Sequence, residues 1–224
     1  VEVQELAAAV ERGVVNLARH VENLKKFGGY VPGNPVEFNR DLGFDLVKLL
    51  EFLKATQPNE FSTLELDKDG GKRTQFMHRL QGEIAKRGVV DVLRKGVSHG
   101  PVHVDLYKFL PTPGNTASAE NFAKNIFSVT RQLRYSNDEA ARSLDMAIFV
   151  NGFPVATFEL KNSLTKQTVA DAVTQYQTDR DPRELLFQLG RCVVHLAIDD
   201  SEVAFCTHLT GKTSWFLPFN QGWN

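Results

Sequence analysis

The chain has 224 residues, 42% of them hydrophobic and 24% charged, with a formal net charge of −1. That is a soluble globular composition, long enough to bury a substantial core in one large domain. It excludes a membrane span, because no run approaches the ~18 apolar residues one needs, and it excludes nucleic-acid binding through overall positive charge, leaving only local basic patches for that purpose.

The opening stretch VEVQELAAAVERGVV is acidic and amphipathic, with neither a basic n-region nor an apolar h-region, so it does not read as a signal peptide. Leu6, Val10, Val14, Leu17, Val21 and Leu24 recur at spacings of three and four, which predicts an amphipathic helix over 3–26, ended by Gly28-Gly29. A Pro/Gly/Asn loop follows at 31–41. A second helix is expected over 42–56, with Leu46, Leu49, Leu50 and Leu53 on one stripe. Residues 57–71 are mostly polar, and a third helix is expected over 74–87, stopped by Gly88.

From Val102 the period switches to two. VHVDLYKF (102–109) reads as a strand, PTPGNTAS (111–118) as a loop and SVTRQLRY (128–135) as a second strand. Arg131 shares parity with Val129 and Leu133, which points it toward the apolar face, and Arg134 has the opposite parity. After a hairpin at 143–162, TKQTVADAVTQYQTDR (165–180) is helical, with Thr165 or Thr168 as N-cap and Pro182 beyond it. RCVVHLAID and EVAFCTHL are strands, and TSWFLPF closes the sheet. Helices first, then strands with one crossover helix, predict an α/β (α+β) chain with a mixed sheet flanked by helices. Residues 1–100 form a helical layer packed on a core at 101–224, with no clear linker between them.

Cys192 and Cys206 lie inside apolar runs, as small core residues suited to a reducing, cytoplasmic compartment. Two cysteines cannot build a structural zinc site, and the six histidines lack ligand spacing. His99 and His103 flank a Gly-Pro and read as turn and strand-surface residues. LTGKTS (209–214) lacks the first glycine of a phosphate loop and lies between strands, so a hairpin turn is expected there. Residues 72–95 are locally basic. They read as a solvated face balanced by Glu83 and Asp91, with a phosphate-contacting surface as the functional alternative.

The informative stretch is SLDMAIFVNGFPVATFELKN (143–162), two apolar runs around an Asn-Gly hairpin turn. It carries Asp145 in its first run, and Glu159 and Lys161 in its second. Charges left unpaired in apolar strands are costly. Two carboxylates can hold Mg²⁺, which prefers one or two of them plus water and phosphate oxygens, and a lysine beside them can orient water or offset developing charge. A two-residue turn pairs Val150 with Phe153 and so Asp145 with Phe158, turning Glu159 away. A shared metal therefore requires a one-residue shift or bulge, and Pro154, with no N–H, is the place to expect irregular pairing.

At these residues the sequence resembles the N-terminal region of the R (restriction) subunit of type I restriction-modification enzymes, which carries a PD-(D/E)xK nuclease fold. The resemblance extends over EFLKATQP, KRGVVDVLRKGVSHG, NIFSVTRQLRYS, QTVADAVTQYQTDRDP and GKTSWFLPFNQG, nearly all of the chain from Gly29 onward. It implies a restriction-endonuclease-like sheet and a Mg²⁺-dependent (or Mn²⁺-dependent) endonuclease acting on double-stranded DNA without sequence specificity of its own. Asp145 and Glu159 match the family's metal ligands, with the backbone carbonyl of Leu160 beside them, and Lys161 matches the catalytic lysine. The family's Gln-x-x-x-Tyr element is displaced here. If Tyr176 is its tyrosine, Ala172 holds the Gln position; if Gln175 is its glutamine, Asp179 holds the Tyr position. Gln175, Tyr176 and Arg180 are expected beside the site, supporting it or touching DNA. A first-helix glutamate would be Glu11 or Glu22. The resemblance also implies methyltransferase and specificity subunits as partners, and ATP used only by a translocase region that this chain lacks, as a fragment of a longer subunit would. The alternative is a non-catalytic docking module on the same fold.

Overall fold

A computed structural model describes residues 29–110, 114–137 and 142–219. The helix expected over 3–26, with Glu11 and Glu22, lies outside the described residues. The sheet has seven strands in the order β1 (Val31–Pro32), β6 (Phe127–Arg134), β7 (Ser143–Val150), β8 (Phe153–Leu160), β9 (Val194–Ile198), β10 (Val203–Cys206) and β11 (Leu217–Pro218). It is mixed: β1 runs parallel to β6 and β8 parallel to β9, while the other neighbours are antiparallel. The parallel step from β8 to β9 requires a crossover, and α6 (Val169–Thr178) supplies it. The fold is thus the expected restriction-endonuclease-like mixed sheet flanked by helices. Among the described residues no helix is long and apolar enough to cross a membrane.

A helical cluster covers the turn end of the hairpin. It comprises α1 (Leu46–Thr56), α2 (Pro58–Thr63), α3 (Gly71–Arg87) and α4 (Val89–Lys95). Its core joins Leu49, Phe52 and Leu53 of α1 to Phe76, Leu80 and Ile84 of α3 and to Phe153 of β8. α1 begins at Leu46, with its leucine stripe, rather than at the expected 42, because Phe44–Asp45 forms the short strand β3 against β2 (Phe38–Asn39), and the Asp45 carboxylate then caps the helix through the Lys48 N–H. The basic face of α3 and α4 is laced with ion pairs, Glu83 holding Arg79 and Arg87, and Asp91 holding Arg87 and Lys95. That is the solvated face. α4 carries too few turns between Gly88 and Gly96 to show a period, and the sequence does not reveal it.

The strand expected over 102–109 ends at Val104, as β5 (Val102–Val104) paired with β4 (Val97–His99) outside the main sheet. The reason is side-chain competition for the backbone. The amide of Gln57 accepts from the Asp105 N–H and donates to its carbonyl, both at 2.7 Å, and Asn125 does the same for Lys108. The loop expected at 111–118 gives way to α5 (Thr116–Phe122), capped by Asn115; it buries no residue and so shows no apolar period. The GKT segment is a turn, followed by no helix. Cys192 and Cys206 are buried free thiols.

The hairpin turn is fixed from both sides. Asn151 (φ +51°) and Gly152 (φ +87°) take the left-handed conformations that an Asn-Gly hairpin turn requires. The buried Asn151 amide accepts from the Ile126 N–H and donates to the Leu106 carbonyl and to Asn125 Oδ1. The Gly152 carbonyl accepts from the Asp45 N–H at the start of α1. A Cβ on Gly152 would sit 2.3 Å from the Asp45 carbonyl oxygen and 2.9 Å from the Leu49 nitrogen. Gly152→Ala therefore forces a backbone clash as well as φ strain and should cost about 2 kcal/mol or more; urea unfolding monitored by circular dichroism checks this.

Candidate active site

The hairpin register carries the first result. Val150 pairs with Phe153 and Phe149 with Pro154, but Ile148 pairs with Ala156 and Met146 with Phe158. The pairing shifts by one residue between Ile148 and Phe149, beside the proline that has no N–H to donate. Continued by one step, the shifted register sets Asp145 opposite Glu159 rather than Phe158. Because side chains alternate with a period of two, the same shift turns both carboxylates to one face.

The two acids sit in different surroundings. Asp145 is half-buried at the end of the ladder, and its Oδ2 accepts from the Leu160 N–H at 2.8 Å. In an extended strand a residue's N–H and C=O point to the same side, so the Leu160 carbonyl is turned toward Asp145 as well. The next N–H, of Lys161, points the other way, to the Ile198 carbonyl. Glu159 is fully buried, and its Oε1 accepts from Arg180 through Nε at 2.7 Å and Nη2 at 2.6 Å. Its Oε2 is buried with no hydrogen-bond partner. Burial pushes the Glu159 carboxyl up to about 8; the Asp145 charge adds to this, while Arg180 and Lys161 oppose it.

α6 carries the rest of the constellation. Thr168 and Asp171 form a capping box, and the Asp199 carboxylate of the β9–β10 turn accepts from the Val169 N–H. This fixes the helix against the sheet. Gln175 Oε1 accepts from Lys161 Nζ at 2.5 Å. Tyr176, about 100° further round the helix, is fully buried and its hydroxyl meets Thr157 Oγ1 at 2.9 Å, two residues before Glu159. Thr157 also bonds His195 Nδ1 at 2.7 Å. Arg180, just past the helix, donates to the Ser143 carbonyl and to the Tyr135 hydroxyl as well as to Glu159.

Asp145, Glu159, Leu160, Lys161, Gln175 and Arg180 are thus gathered at one end of the central strands β7 and β8. Tyr176 lies beneath them as a support and has no surface to offer a ligand. Ala172 is buried in the core with Tyr176, so the amide that meets the lysine comes from position 175. Reading the sequence missed Gln132, whose Nε2 contacts Asp145 Oδ1 at 3.4 Å, and the polar support formed by Tyr135, Thr157 and His195. Thr157 shares parity with Glu159, a polar residue on the same side of an apolar strand, and that signal could have found it. Arg131 is exposed although it lies opposite Met146, on the face of Val129; it is Leu133 that leaves this face, because Gln132 has φ +48° and breaks the alternation of β6. His99 and His103 lie on the β4–β5 hairpin, outside the main sheet, and His103 pairs with Ser98 and Asp105.

The donor set suits a hard divalent cation. It offers two carboxylates, one with a free buried oxygen, and a carbonyl turned to the same side. Among the described residues there is no cluster of three or more His, Cys, Asp and Glu, so water and substrate oxygens would complete the shell, as Mg²⁺ prefers.

Comparison with known proteins assigns the family. The family model for the type I restriction enzyme R protein N terminus matches residues 56–214. The chain belongs to this family. A Methanocaldococcus jannaschii protein described as a type I restriction enzyme MjaIXP endonuclease subunit is 33% identical over 78 residues. That match spans 34% of this chain and 8% of that protein's length. No solved structure matches the chain. The R protein N-terminus assignment includes the whole hairpin, the crossover helix and every described candidate residue of the site.

Two outcomes follow from the buried groups. Burial pushes His195 down to about 4 from an ordinary 6.5, so it is neutral in the folded chain. The unfolded chain takes up a proton below pH ~6.5, so stability present above that pH is lost as pH falls toward ~4, by on the order of 3 kcal/mol. His195→Gln should flatten that acid limb in urea titrations. Arg180→Met removes both donors to the buried Glu159 carboxyl and drives it further toward its neutral form, and should cost about 1–3 kcal/mol, much of it recovered in the double variant with Glu159→Gln; a double-mutant unfolding cycle reads the coupling.

Proposed function

We propose that this chain is the metal-dependent DNA endonuclease domain of a type I restriction enzyme R protein, hydrolysing phosphodiester bonds of double-stranded DNA without sequence specificity of its own. The observation that carries the reading is the register shift, which sets Asp145 and Glu159 on one face with an unpartnered Glu159 oxygen and Lys161 one residue beyond Leu160. Family membership and a relative named as an endonuclease subunit support it.

Asp145, Glu159 and the Leu160 carbonyl would hold Mg²⁺ or Mn²⁺. A cation bound there supplies Lewis-acid polarisation of a phosphoryl oxygen and lowers the pKa of a bound water. Lys161 keeps its ammonium near the pair by donating to Gln175. From there it can orient the water or stabilise negative charge growing on the phosphate. Arg180 sets the rotamer of Glu159 from the buried side, leaving the other oxygen for the cation. Target choice would belong to the specificity subunit, methylation to the methyltransferase subunit, and ATP use to the translocase region of the longer protein.

One observation favours the second reading, a docking module on the same fold: Arg180 already satisfies half of Glu159 without any cation. Calorimetry with Mn²⁺ and Mg²⁺ separates the two. On the endonuclease reading the chain binds metal, and both Asp145→Ala and Glu159→Ala lose binding, while Lys161→Ala keeps it and loses DNA cleavage by about 100-fold or more. Metal binding equal in the chain and in both carboxylate variants, or nicking of supercoiled DNA undiminished by Lys161→Ala, would overturn it.

A further inference from the structure

Gln132 stands inside β6 with φ +48°, a conformation that is costly for a residue with a side chain and that clusters at functional sites. Its effect can be followed in the two strands it touches. Val129 packs with Met146 and Phe158, whereas Leu133, of the same parity, packs on the other face with Leu144 and Tyr176. Met146 and Leu144 divide in the same way. The pairing is unchanged across the reversal, Arg131 opposite Met146 and Leu133 opposite Leu144. No residue is inserted. The strands flip faces at one step, and the pair at that step is Gln132 opposite Asp145.

The flip brings an amide to the carboxylate. Gln132 Nε2 donates to Asp145 Oδ1 at 3.4 Å, and its Oε1 accepts from Ser143 Oγ at 3.1 Å, which sets the amide's orientation. Ser143 in turn gives its carbonyl to Arg180, which holds Glu159. One chain of hydrogen bonds therefore reaches both acids. We propose that Gln132 is a positioning residue for Asp145, its left-handed backbone aiming the amide so that Oδ1 is held while Oδ2 stays on the Leu160 N–H. The proposal rests on reading Asp145 as one of the two acids of the site.

Gln132→Gly and Gln132→Ala both remove the amide, but glycine relieves the φ strain and alanine keeps it. Thermal unfolding should therefore place the glycine variant at or above the parent and the alanine variant below it. Hydrogen exchange in the metal-free chain then gives a readout that stability alone would not move. With Asp145 released, the Leu160 amide should exchange several-fold faster in both variants, while the Lys161 amide, bonded to Ile198, stays at the parental rate. In a Mn²⁺ titration both variants should bind several-fold more weakly than the parent. Leu160 exchange that is unchanged, or that follows the melting temperatures, overturns the proposal, as does parental Mn²⁺ affinity in both variants. A parent chain that takes no Mn²⁺ refutes the metal reading instead, and the Leu160 comparison then decides the role of Gln132 by itself.

Discussion

Between Ile148 and Phe149 the β7–β8 pairing slips by one residue, and the site depends on where that slip is absorbed. A slip in a hairpin can relax toward either end. Here the turn end is clamped, because the Asn151 amide is held by Ile126, Leu106 and Asn125, and the Gly152 carbonyl is held at the start of α1. The displacement can only run toward the open end, where Asp145 and Glu159 stand. Pro154 marks the position at which a regular ladder has no donor. The helical cluster, remote from the acids along the strands, thereby fixes which of their faces meet.

The second constraint is electrostatic. Glu159 lies in a place where a charge is expensive, and the chain answers with Arg180 on one oxygen and with neutral dipoles beneath. Thr157, Tyr176 and His195 form a hydrogen-bonded layer under the acid, with no formal charge at neutral pH, since burial holds the imidazole neutral and the phenol protonated. α6 serves both levels: Ala172 and Tyr176 fill the core while Gln175 holds the lysine at the strand end. Rigid support of this kind is what a reacting geometry needs, because side chains locked by packing keep their rotamers.

Much of this was legible in the residues. Apolar runs and alternation located β6 to β10, the Asn-Gly turn located the hairpin, and a two-residue turn can bring Asp145 and Glu159 to one metal only with the one-residue slip. What escaped has physical causes. The strand expected to continue past Val104 stops because Gln57 and Asn125, distant in sequence, occupy the backbone groups of Asp105 and Lys108. α4 and α5 are too short to show a period, and α5 buries nothing. The placement of Leu133 on the face opposite Val129 depends on a left-handed Gln132, and no sequence rule places glutamine in that conformation. Arg180 was expected beside the site, but its partner was not, since an ion pair across a crossover connection leaves no local signature.

The Asn151–Gly152 turn has one more consequence, in the chemical ageing of the chain. Asn-Gly is the peptide at which a glycine nitrogen most easily attacks the preceding side-chain amide, forming a succinimide that opens to aspartate or isoaspartate. In the fold that amide is immobilised and its nitrogen donates twice, so the attack is blocked. Once the turn opens nothing blocks it. The aspartate that results would face the Leu106 carbonyl and Asn125 Oδ1 with a carboxylate where an NH₂ group belongs, in a position with no solvent. The residue that clamps the hairpin is therefore also an irreversible recorder of time spent unfolded.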